Sequence, residues 1–176
     1  MDLSKASLKK VGSVCLFVDG FILLFYGLFV PVFVHGIHWL ITLLAILFLI
    51  ALPAIYRSLA QVQKVVAKVV VVLLGVAMMV LVLSDLLFVQ SFLSGLGHDL
   101  AYALGNVLLL ICLFAIGVIA LKGVFFKWFG YMSILTAIIG LATYLPQVPS
   151  FLYTVSLLLL GLWCLAFGFN ILKVAK

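Results

Sequence analysis

The stretch VPVFVHGIHWL, residues 30–40, sets His35 and His38 three apart, a spacing that on a turn or first helical turn can direct both imidazoles to one ion. The remaining histidine, His98, is followed directly by Asp99. Brought together, with Asp85 nearby, these side chains would make a nitrogen and oxygen donor set suited to Zn²⁺ or Cu²⁺. The competing reading makes them amphipathic residues at the level of lipid headgroups, with Trp39 beside His38 in an aromatic belt.

Asp19 poses a different problem, because it stands well inside a long apolar run with no basic side chain near it. A carboxylate there is costly and so marks a ligand or ion pathway. Alternatively it is a neutral acid, hydrogen-bonded to a neighbouring helix. In that structural role Asp19→Asn keeps the fold and Asp19→Leu weakens it. Asn106 is a second pathway candidate, followed by the scattered polar residues Ser133, Thr136, Thr143, Ser156 and Asn170.

Other chemistries lack their residues. No G-x-S-x-G elbow is present and no histidine stands at membrane depth, as a serine hydrolase in the membrane would require. Histidines at one surface serve bis-histidine haem poorly. The chain contains no glutamate, the commonest residue of carboxylate-rich di-iron and proton-coupled sites. Cys15, Cys112 and Cys164 each stand alone in a different apolar run and read as small packing residues. No catalytic residue is assigned.

The elements that must position these candidates follow from composition. Of 176 residues, 69% are apolar and 8% charged, with a mean hydropathy of +1.53. A soluble domain carries about a quarter charged residues, and a chain of this size buries only about 70% of its unfolded surface, so the solvent that fits is a bilayer. A membrane-spanning helix takes about 20 apolar residues. Six runs qualify: Val11 to Val34, Ile37 to Tyr56, Val65 to Ser84 with a possible extension to Phe92, Leu100 to Leu121, Trp128 to Leu145, and Phe151 to Leu172.

Charge tests that count independently. Lys5, Lys9 and Lys10 precede the first run, Arg57, Lys64 and Lys68 flank the second connection, Lys122 and Lys127 the fourth, and Lys173 and Lys176 follow the sixth. All bases thereby fall on one side, which the positive-inside rule makes cytoplasmic. The net charge of +6 reflects this placement and not an affinity for nucleic acid. The first run is too long for the apolar core of a secretory signal and carries Asp19, so it is read as retained.

Helices in lipid associate through close backbone approach. Gly130, Ser133, Ala137 and Gly140 share one face of the fifth run and should meet a neighbour, with Gly161 and Gly168 of the sixth as a matching pair. The stretch His98 to Gly140, HDLAYALGNVLLLICLFAIGVIALKGVFFKWFGYMSILTAIIG, resembles the later half of an uncharacterised family of small polytopic prokaryotic membrane proteins. In that family a His-Asp pair precedes a glycine-rich helix, a basic loop and another small-residue helix. The resemblance implies a prokaryotic cytoplasmic membrane and brings no chemistry.

The expected fold is an all-α, single-domain, integral membrane bundle of six transmembrane helices, with short loops and both termini cytoplasmic. Three functions remain open. The first is a non-enzymatic small carrier, a binder of lipid or another hydrophobic small molecule, or a subunit docking with another membrane protein or its own copy. The second is a metal-binding membrane enzyme or metal handler with Zn or Cu on the outer histidines, and the third is proton- or cation-coupled transport through Asp19.

Overall fold

The computed structural model describes residues 3–29, 38–89, 95–123 and 125–173. They form α1 (Leu3–Phe29), α2 (His38–Leu59), α3 (Lys64–Val89), α4 (Gly95–Leu121), α5 (Lys127–Ala142) and α6 (Phe151–Lys173). All except α5 are long and apolar enough to cross a membrane. Among the described residues there is no strand.

The helices run up and down around a closed ring. Each packs on its neighbours in sequence, and α6 returns to close on α1 in the most extensive contact of all. The order of pairing shows that α1 and α6 are antiparallel: Ser13 Oγ donates to the Gly168 carbonyl at 2.7 Å, while Gly27 lies against Leu158. Consecutive helices alternate likewise, so Lys9, Lys10, Arg57, Lys64, Lys122, Lys127 and Lys173 gather at one end. Large apolar side chains such as Phe21, Phe25, Val72, Leu135 and Phe169 cover the outside, as lipid contact requires.

Close crossings hold the ring. On α1 and α6, a Cβ on Gly20 would stand 2.8 Å from the Gly161 carbonyl oxygen, and one on Gly161 would stand 3.0 Å from that of Gly20. Gly117 of α4 and Gly130 of α5 meet in the same reciprocal way, at 2.8 and 3.0 Å. Without side chains between them the backbones approach closely and gain van der Waals contact that lipid cannot replace. Of the expected packing residues, Gly130 and Gly140 lie against α4, whereas Ser133 meets α6 through Trp163, whose Nε1 donates to Ser133 Oγ at 2.6 Å. Ala137 is fully buried. Gly161 and Gly168 face α1 and not α5, because α6 puts its small residues on the ring-closing seam.

Boundaries differ from the sequence reading in physical detail. At the end of α5, Thr143 Oγ1 donates to the Gly140 carbonyl, and the amides of Thr143, Tyr144 and Leu145 bond three residues back. This tightening ends a helix of 16 residues, about 24 Å at 1.5 Å per residue, although the apolar sequence continues to Leu145. α4 begins at Gly95 instead of Leu100, which draws His98 and Asp99 into its first turns.

The ring is filled unequally. In the half toward the basic end, Phe125, Phe129, Trp163 and Phe167 are buried against one another, with Phe129 stacked on Phe167 at 5.1 Å and on Trp163 at 5.9 Å. Phe48 stacks on Trp163 at 6.2 Å and caps this plug. Toward the other end the side chains leave a cavity.

Candidate functional site

The cavity has a volume of about 90 Å³ and is lined from α1, α2, α3, α4 and α6. Regular helical spacing supplies the wall. Asp19, Leu23 and Tyr26 recur along α1, Leu40 through Phe48 along α2, Tyr102, Asn106 and Leu109 along α4, and Tyr153, Leu157, Leu160 and Cys164 along α6, each set following the 3.6-residue period of one helix face. Asp19 and Phe48 stand at its deep end, near the middle of their helices. Tyr26, Tyr102 and Tyr153 stand toward the end away from the bases.

Asp19 is 1% exposed. Neither of its carboxyl oxygens has a hydrogen-bond partner among the described residues. The hydrogen bond to a neighbouring helix expected of a neutral Asp19 is therefore not supplied by any described residue. The physical reason is its surroundings, since Leu23, Phe48 and Cys164 offer no strong hydrogen-bonding group. Asn106 lines the same cavity, with its Nδ2 donating to the Tyr102 carbonyl at 3.0 Å. Asn106 also stands close to Tyr144 in the turn after α5.

A polar clasp closes the ring one turn beyond the cavity. His98 Nε2 lies 3.0 Å from Asp85 Oδ1, and Thr42 Oγ1 donates to Asp85 Oδ2 at 3.2 Å. Ser84 Oγ donates to the His98 carbonyl at 3.3 Å. Asp85 is 1% and His98 8% exposed, so α2, α3 and α4 are joined by a buried network. The imidazole sits between Phe88, 4.5 Å away, and Tyr102, 5.8 Å away, and Tyr102 is itself a wall of the cavity. On the opposite side His98 Nδ1 lies 3.5 Å from Asp99 Oδ1, whose side chain is 79% exposed. A ring protonated on both nitrogens donates to both acids. A neutral ring with its proton on Nε2 donates to Asp85 alone.

The structure thus brings Asp19 and Asn106 to one cavity and His98 and Asp99 to the clasp beside it. His35 and the side chain of His38 lie outside the described residues. Among the described residues no three His, Cys, Asp or Glu side chains form a group able to hold a metal ion. Sequence reasoning passed over Tyr26, Tyr102, Tyr153 and Phe48, and noted Asp85 without its pairing. The signal available was helical register: Leu23 and Tyr26 stand four and seven residues beyond Asp19, and Tyr102 stands four before Asn106 and four after His98.

No protein-family model, curated protein or solved structure matches the chain.

Proposed function

We propose that the chain is a six-span protein of a cytoplasmic membrane, with both ends inside, and that it binds and carries a small hydrophobic ligand through the cavity. The observation that carries this reading is the cavity itself, which is walled mainly by leucine, isoleucine, tyrosine and phenylalanine from all helices but α5 and holds one unsatisfied acid. Binding sites in bundles are mostly apolar hollows with a few polar groups that fix orientation. The gathering of bases at the opposite end supports this orientation, in which the tyrosine end of the cavity faces outward. α5, with Trp128 in its first turn and Tyr144 just past its end, crosses as the shortest span by local thinning of the bilayer.

Two measurements test the proposal. 1-Pentanol, titrated into the protein in lipid nanodiscs, should bind saturably at one site. Ala45→Trp, which fills the cavity, should abolish that binding, while Val72→Trp on the lipid-facing surface should not. Absence of saturable binding, or equal binding by Ala45→Trp, would remove the ligand-binding reading. For orientation, the three native cysteines are buried, so an impermeant thiol reagent applied outside should label a cysteine at Gln147 and spare one at Gly123. The reverse pattern would invert the topology.

A further inference from the structure

Asp19 calls for a particular kind of ligand. It lines the cavity, is 1% exposed, and has two oxygens without a hydrogen-bond donor among the described residues. A buried carboxylate without a partner carries the full cost of its lost hydration. Among the described residues the cavity wall contains no Lys, Arg or His that could offset that charge. A missing donor inside a space able to admit a molecule is a demand that a ligand can meet.

We infer that the cavity receives a small lipophilic primary amine, with its ammonium group on the Asp19 carboxylate and its hydrocarbon chain along Leu23, Leu44 and Leu157. This rests on the ligand-binding reading above and gives the ligand its chemical class. An ammonium has three N–H donors and no acceptor, so it serves both carboxylate oxygens at once, whereas an alcohol serves one. The pair is neutral overall, which suits a dry site. A second carboxylate would be repelled by Asp19. A bare alkali cation would exchange its hydration shell for one carboxyl group, the Asn106 amide and phenol oxygens in a mainly apolar wall, a poor set of oxygen ligands. A cavity of about 90 Å³, smaller than the roughly 150 Å³ hollow that takes benzene, has room for the head and first carbons of a short chain. The remainder extends toward Tyr26, Tyr102 and Tyr153, whose ring faces suit a cationic or apolar neighbour.

The test compares pentylamine, 1-pentanol and pentanoate with the protein in nanodiscs, with and without Asp19→Asn. Pentylamine should bind about tenfold more tightly than pentanol, the advantage of a charge-assisted pair. Pentanoate should not bind. Asp19→Asn should bring pentylamine down to the level of pentanol while leaving pentanol binding intact. If pentanol binds saturably and pentylamine binds no better, the amine assignment falls and the ligand-binding reading stands. If neither binds, both fall. The preference of the unmodified protein for amine over alcohol decides the matter even where Asp19→Asn fails to fold, since that comparison needs no variant.

Discussion

Asp85 engages His98 with one carboxyl oxygen and Thr42 with the other, whereas Asp19 offers both of its oxygens to no described residue. The two buried acids should therefore respond oppositely to mutation. His98→Ala strips Asp85 of its principal partner and should destabilise the bundle by about 3–5 kcal/mol, the cost of breaking a buried pair from one side. The double variant His98→Ala with Asp85→Leu should recover a large part of the loss, and thermal unfolding of the four proteins of the cycle measures the coupling. Asp19→Leu exchanges an unsatisfied carboxyl for an apolar side chain beside a cavity, so the thermal midpoint should rise. The gain is on the order of 1–3 kcal/mol, or roughly 2–4 °C per kcal/mol. This reverses the fall expected from sequence, which presumed a partner, and a measured fall would mean that a partner exists. The cost of Asp19 was legible from its position in an apolar run, but its lack of a partner was not, because that depends on what α2 and α6 bring to it.

At the level of helices, the two reciprocal glycine crossings make demands that the open glycines do not. A side chain at Gly161 would meet the Gly20 carbonyl, an obstacle of backbone that cannot rotate away. Gly161→Leu should force α1 and α6 apart and cost about 1–3 kcal/mol, as overpacking does. Gly75→Ala, whose added carbon would touch only Leu52 at an ordinary 3.4 Å, should be tolerated. Unfolding of both variants in the same detergent checks the contrast. The apolar runs announced each helix because lipid permits few alternatives to a helix of spanning length. They could not announce where α5 stops, since Leu141 to Leu145 carries no charge or breaker and the end is made by Thr143 bonding back to Gly140. The start of α4 was hidden for a related reason. Glycine disfavours a helix, yet Gly95 and Gly97 lie in the first turns of α4, which are held to α3 by the Asp85–His98 link.

In the molecule as a whole, the ring closes between the first helix and the last. α1 begins and α6 ends side by side at the basic end, so a short linker joining these ends, with a new opening in the 122–126 connection, should give a circular permutant that folds and keeps the ligand preference of the parent. Its elution as a single monodisperse species with unchanged helical circular dichroism would show that closure depends on packing and not on chain order. Chain order still governs how the molecule comes into being. Ser13 finds its acceptor on Gly168, 155 residues further on, and at about 5–20 residues per second of synthesis α1 waits roughly 8–30 s for that partner. Through that interval Gly20 and Asp19 have no sixth helix against them. The cavity is completed only when α6 arrives, and a chain that stops before Gly161 leaves Asp19 without the α6 wall that covers it.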